Sequence, residues 1–174
     1  MIELLFICGS LRKESSSRAL GMALADRLAQ QAKASFARID DLPHFNADIE
    51  GDAAVARLKS EIEGAAGLVF VTPEYNYSVP GVLKNAIDWA SRPAMKSVFR
   101  RKPAFVITVS GGALGGVRAQ SHLKYILNGM LADVYSGPEV VVPQANKSVE
   151  QTKFVNEQVL DFATMQLSDF IVSL

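Results

Sequence analysis

Residues 2–17 read IELLFICGSLRKESSS, and residues 18–28 continue RALGMALADRL. Ile2 to Cys8 is apolar apart from Glu3, the pattern of a strand covered on both faces. Beyond the polar loop, Leu20, Leu24 and Leu28 recur every four residues while Arg18, Asp26 and Arg27 fall elsewhere. That is the one-sided stripe of a helix laid on a sheet, and it predicts a helix over Ser17 to Lys33. Buried strand, polar loop and amphipathic helix, in that order, open a β–α unit of a parallel sheet.

The same alternation runs outward through the chain. Gly67 to Thr72 (GLVFVT) and Pro103 to Val109 (PAFVITV) read as buried strands, and Ala34 to Ile39 as a more alternating strand suited to an edge. Glu139 to Val142 reads as a last strand, with Asp133 to Tyr135 leading into it. Further helices are expected at Ala53 to Ala65, Pro80 to Ser91, Gly115 to Ala132 and Val149 to Val172, the last on a stripe of Val155, Val159 and Phe162. Pro80 suits a first helical turn, where its missing N–H has no partner to lose. Five strands alternating with five helices predict an α/β doubly wound fold, a five-stranded parallel sheet of flavodoxin-like order 2-1-3-4-5 with helices on both faces. Residues 1–174 are expected to form one domain, since no linker, repeat or low-complexity tract divides them.

Composition narrows the function classes. The 174 residues are 49% hydrophobic, and 18 Lys plus Arg balance 18 Asp plus Glu, so no broad field attracts nucleic acid or anionic lipid. One cysteine, Cys8, and two histidines, His44 and His122, are too few for a disulfide framework or a His/Cys zinc site, and fit a reducing cytoplasm. No apolar run approaches the ~20 residues that a membrane helix needs.

In an open parallel sheet, ligands bind beyond the carboxyl ends of the strands where strand order reverses. Three loops follow such ends. Gly9 to Ser17 brings Ser10, Ser15, Ser16 and Ser17 as hydroxyl donors and Arg12 as a charged fork to the start of a helix, where N–H groups favour an anion. One serine would suffice for a cap, so four serines and an arginine favour a phosphate. The loop has neither the Gly-Lys-Ser/Thr of a Walker A motif nor the Gly-x-Gly-x-x-Gly of a dinucleotide fold, and a mononucleotide's single phosphate fits it better. Thr72 to Gly81 is bracketed by Pro73 and Pro80 and offers Tyr75, Asn76 and Tyr77. It fits a flat heteroaromatic ligand or a stiff turn with tyrosines packed on the protein's own surface. Ser110 to Gly116 holds four glycines, for close ligand approach or for unusual φ angles.

Taken together, PEYNYSVPGVLKNAIDWASR at Pro73 to Arg92, GSLRKESSS at Gly9 to Ser17 and SGGALGGVRAQ at Ser110 to Gln120 closely resemble the flavodoxin-like NAD(P)H-dependent FMN reductases, quinone and chromate reductase branch. The resemblance covers roughly the first 145 residues. It implies FMN as cofactor, with its phosphate at Ser10, Arg12, Ser15, Ser16 and Ser17 and its ring against Pro73, Glu74, Tyr75, Asn76, Ser110 and Gly111. Many members carry Asn where this chain has Ser17, whose hydroxyl can serve the same phosphate. It also implies NAD(P)H as co-substrate, transfer of hydride to quinones, flavins, azo compounds or chromate, and a homodimer or homotetramer in which Arg118, Tyr77 and Glu139 help build the interface. No catalytic side chain and no metal is expected, because the flavin carries the chemistry. A flavodoxin-type electron carrier is the alternative, though such carriers present an acidic docking face that a neutral chain lacks. Cys8 reads as a packed thiol, His122 and His44 as structural or solvated, Trp89 and Ile87 as core or interface residues, and Lys96 to Lys102 as a solvated basic run.

Overall fold

The computed structural model describes residues 1–174. Strand β1 (Ile2–Cys8) is followed by helix α1 (Ser16–Arg27), β2 (Ala32–Phe36), α2 (Ala53–Gly64), β3 (Gly67–Pro73), α3 (Gly81–Ala90), β4 (Pro103–Val109) and α4 (Val117–Gly129). Then come β5 (Asp133–Val134), β6 (Val140–Val142), a 3-10 turn (Ala145–Ser148), the small strands β7 (Val149–Glu150) and β8 (Lys153–Phe154), and α5 (Glu157–Val172). The sheet is parallel in the order β2-β1-β3-β4-β5, the order expected above. Its fifth position is shared. β5 pairs with the start of β4 and β6 with its end, so the last strand is broken between Val134 and Val140.

The strands are apolar on both faces because both faces are covered. Leu4, Phe6 and Cys8 join one core with Leu20 and Leu24 of α1 and Leu160, Leu167 and Phe170 of α5. Leu5 and Ile7, pointing the other way, join a second core with Leu58 and Ile62 of α2, Leu83 and Ile87 of α3, and Leu123 and Leu127 of α4. Arg27 of α1 pairs with Glu157 and Asp161 and fastens α1 to α5.

Several boundaries differ from expectation for identifiable reasons. α1 ends at Arg27 rather than Lys33, because β2 is claimed by its register with β1, from Ile2 opposite Ala32 to Phe6 opposite Phe36, and no Gly or Pro marks the stop. β2 accordingly spans residues 32–36 rather than 34–39. Pro80 is the N-cap of α3 rather than its first helical residue. The largest correction is at the C-terminus, where Val149 to Phe154 forms an antiparallel hairpin in place of a helix. Its turn residues Gln151 (φ 47) and Thr152 (φ 70) take a left-handed conformation without a glycine to announce it. α5 begins only at Glu157, where the Asn156 side chain accepts from the Val159 amide at 3.2 Å. The shift changes the buried face. Leu160, Ala163, Leu167 and Phe170 are inside, whereas Phe162 and Val155 lie on the surface.

Candidate functional site

The three loops singled out above meet at one end of the sheet. The first follows β1 through Gly9, where an added Cβ would sit 2.1 Å from the Thr72 Oγ1 of β3, so only glycine lets the chain turn this close to its neighbour. Ser15 is the N-cap of α1, and its hydroxyl lies 2.7 Å from that of Ser17, both buried. The first-turn amides of a helix have no intrahelical acceptor. The Ser15 hydroxyl accepts from the Arg18 amide at 3.4 Å, and the two paired hydroxyls, the remaining first-turn amides and the exposed Arg12 guanidinium, which has no carboxylate partner within 4.0 Å, gather donors at the head of α1. A phosphate monoester, which offers only acceptor oxygens when ionised, is the group this set fits. Ser16 is half-buried in the same turn.

The second loop follows β3. Tyr75 and Ser78 exchange two backbone bonds, of 3.0 and 3.1 Å, around Asn76 (φ 48) and Tyr77 (φ 67). A tight turn with two left-handed residues usually uses Gly or Asn, and Tyr77 in that region is strained. The turn is held from outside. The Ser10 hydroxyl lies 3.1 Å from the Tyr75 phenol, joining the first loop to the second. The Ser78 hydroxyl meets His122 Nδ1 at 3.0 Å, and the Arg118 guanidinium lies 4.9 Å from the centre of the Tyr77 ring.

The Glu74 carboxylate is engaged at the start of α4. It accepts from the amides of Arg118 (3.0 Å) and Ala119 (3.2 Å) and from the Arg118 guanidinium (3.3 Å). Helix α4 starts at Gly116 with no side-chain cap of its own, so Glu74, from 44 residues earlier in sequence, supplies the missing acceptor. The third loop is built to allow this. Gly115 (φ 63) and Gly116 (φ 89) are left-handed, and a Cβ at Gly115 would meet Val141 at 2.6 Å. Nearer β4, the Ser110 hydroxyl donates to the Gly112 carbonyl (3.2 Å) and accepts from its amide (3.0 Å).

Of the site residues read from the sequence, the fold joins Ser10 to Tyr75 and Ser15 to Ser17, and Glu74 to the head of α4. Pro73 ends β3 and Asn76 is exposed at the turn, while Gly111 lies on the open side of the third loop. Arg118, Tyr77 and Glu139, expected at a subunit interface, have partners within the chain: Arg118 with Glu74 and Tyr77, and Glu139 with Lys124 at 2.8 Å. His122, read as structural or solvated, bonds the tyrosine turn. The legible signal was its spacing, four residues after Arg118 on one helical face. Trp89 is buried, and its indole N–H donates to the Pro43 carbonyl at 2.7 Å. Cys8 is buried, and burial, opposed by the Arg18 charge, pushes its thiol up to about 12. No helix is long and apolar enough to cross a membrane.

Comparison with known proteins shows what the chain as a whole is similar to. The family model described as NADPH-dependent FMN reductase matches residues 2–147. A quinone reductase of Escherichia coli is 39% identical over 180 residues, covering 97% of this chain and 93% of that protein. An NAD(P)H-dependent FMN reductase of Pseudomonas aeruginosa is 36% identical over 170 residues, covering 95% and 91%. Among solved structures, FerB, a flavoenzyme NAD(P)H:(acceptor) oxidoreductase from Paracoccus denitrificans, superposes with a TM-score of 0.89 at 34% identity, covering 98% of this chain and 96% of that one.

Proposed function

The chain belongs to the NADPH-dependent FMN reductase family, and from that membership we propose that residues 1–174 form one FMN-binding unit that reduces quinones with NAD(P)H. The observation that carries the proposal is the donor set at the head of α1, tied to the second loop by the Ser10–Tyr75 bond. In this reading Ser10, Arg12, Ser15, Ser16 and Ser17 hold the phosphate of FMN, and Pro73, Tyr75, Asn76, Ser110 and Gly111 border its ring. When bound, the flavin supplies the hydride-accepting and hydride-donating chemistry, so no side chain has to act as nucleophile or metal ligand.

The protein's part is placement. The Tyr75 phenol fixes the spacing between phosphate loop and ring loop. The Tyr75–Ser78 turn is kept in its left-handed conformation by His122 and Arg118. Glu74 contributes through the backbone on either side of it, because its carboxylate is committed to α4. Holding a planar partner at fixed distance and angle replaces the entropy that a bimolecular encounter would lose. Flavins, azo compounds and chromate are further acceptors for an open ring face, and a cytoplasmic location suits the single buried thiol. A homodimer or homotetramer is part of the same proposal, supported by the exposed side chains of Leu114, Tyr77 and Tyr125 at and around α4.

The test is direct. Purified protein is expected to be yellow or to bind added FMN, and to oxidise NADH or NADPH anaerobically with a quinone present and no added redox protein. Sedimentation would give an assembly larger than one chain. Protein that neither retains nor binds FMN overturns the proposal.

A further inference from the structure

The fifth position of the sheet is interrupted beneath the third loop. β5 pairs with β4 at Pro103 and Ala104, and β6 pairs with it from Ile107 to Val109, so Phe105 and Val106 face no strand on that side. The Ala104 carbonyl accepts from the Tyr135 amide, and two residues on the Val106 carbonyl points the same way, into the gap. It is met by Gln120 of α4, whose Nε2 donates to it at 3.2 Å. Gln120 is 1% exposed, and only one other side-chain hydrogen bond of the protein is fully buried, that between Ser15 and Ser17 in the first loop. The glutamine thus replaces a missing strand partner in the segment that carries the third loop.

Gln120 directly follows Arg118 and Ala119, whose amides hold the Glu74 carboxylate of the second loop. One turn of helix is therefore bonded both to the second loop and to the strand that ends at Ser110. Two polar atoms remain between helix and strand, Gln120 Oε1 and Thr108 Oγ1, both buried without a hydrogen-bond partner. Thr108 lies two residues beyond Val106 on the same face of β4, against the head of α4, where a Cβ at Gly116 would come 3.3 Å from its hydroxyl oxygen. It is also in register with Thr72, whose hydroxyl donates to the Pro73 carbonyl at 3.1 Å. Apolar side chains of similar size would fill this space without the cost of burying unpaired polar atoms, so packing alone does not account for them. We propose that Gln120 is a positioning residue for hydride transfer, with the Thr108 hydroxyl donating to its Oε1, and that the pair sets where Ser110 and Gly111 stand against the flavin ring. Those two residues border the ring only in the FMN reading above, on which this inference rests. The first loop holds the phosphate independently of β4, so losing the pair leaves the cofactor bound and its ring less well placed.

The experiment compares wild type with Gln120→Leu, Thr108→Val, the double variant, Gln120→Glu and, as a control destabilised in the opposite core, Leu160→Ala. Rates are measured on FMN-loaded protein at a temperature where circular dichroism shows each variant folded. In stopped flow, the limiting rate of anaerobic flavin bleaching by NADPH should fall on the order of tenfold in Gln120→Leu, with half-saturating NADPH and FMN affinity within about threefold of wild type. In flavin-free protein, amide exchange at residues 108–112 should quicken on the order of tenfold relative to β1. Thr108→Val should slow bleaching about threefold and add nothing in the double variant. The Gln120→Glu carboxyl, when protonated, still donates to Val106, so its rate should rise toward wild type as pH falls, a limb that wild type and Gln120→Leu lack. A limiting rate in Gln120→Leu within about twofold of wild type overturns the proposal, as does an equal fall in Leu160→Ala, which would make the effect one of stability. Additive losses in the double variant overturn the pairing with Thr108. Should Gln120→Leu fail to fold, Thr108→Val and the pH limb of Gln120→Glu decide by the same criteria. Wild type that binds no FMN, or whose flavin neither NADPH nor NADH bleaches, refutes the parent reading and this one with it, a result seen before any variant is made.

Discussion

Replacing Glu74 tests how the site's second and third loops are held together. Its side chain is 12% exposed and accepts from two amides in the first turn of α4, at 3.0 and 3.2 Å. Hydrogen bonds to a charged acceptor contribute about 1.5–3 kcal/mol when lost from a buried setting. The two amides share one oxygen, Oε2, and sit at a helix end that water can partly reach, so their joint loss is about 2 kcal/mol rather than twice the upper figure. The Arg118 side chain is partly exposed, and its pairing adds under ~1 kcal/mol. Glu74→Ala should therefore destabilise by about 2–3 kcal/mol, which at this chain length lowers Tm by roughly 5–10 °C. Glu74→Gln keeps an acceptor in place and loses the charge, costing about 1 kcal/mol, and Arg118→Ala, which leaves both amides bonded, should cost less than that. Urea unfolding of the three variants with an unchanged m-value is the assay, with FMN affinity measured alongside. A Glu74→Ala protein within about 0.5 kcal/mol of wild type would refute the view that this carboxylate caps α4.

Other substitutions separate binding from folding. Arg12→Ala, at an exposed residue without a partner, should weaken FMN affinity on the order of tenfold or more and leave Tm within about 1 °C; equal FMN retention would count against the phosphate assignment. Leu160→Ala in α5 should cost about 2–5 kcal/mol, whereas Phe162→Ala should stay under about 1 kcal/mol. Comparable losses would show that the helix faces are misassigned. The Cys8 thiol, raised from 9.0 to about 12 in the fold, should resist thiol reagents at pH 8 in native protein and react on unfolding. Since the unfolded thiol ionises first, its contribution is whole below pH 9 and is lost as pH rises from 9 to 12, at most about 1.4 kcal/mol per pH unit. Cys8→Ala should flatten that part of the stability profile.

The outcome at the C-terminus shows where pattern reading stops. The apolar spacing across Val149 to Val172 is compatible with a helix throughout, and the left-handed turn at Gln151 and Thr152 lacks the residues that advertise such turns. The hairpin forms because Phe154 can bury in the core beside α1 and α5, a benefit that depends on elements distant in sequence. His122 is a similar case. Its spacing from Arg118 marks a shared helical face but names no partner, and Ser78 reaches it only because α4 crosses beside the second loop.

What the linear sequence determined by itself was the β–α alternation, a parallel sheet with few possible strand orders, and the three loops at the strand ends. Apolar periodicity and turn chemistry are local properties, and the handedness of crossovers leaves few ways to assemble them. Tertiary structure alone decided that Glu74 serves as the cap of α4, that the fifth strand is split between β5 and β6, and that Gln120 meets the Val106 carbonyl in the gap between them. Each of these depends on the direction a side chain takes after distant segments pack, and on which donors and charges the folded chain leaves without partners.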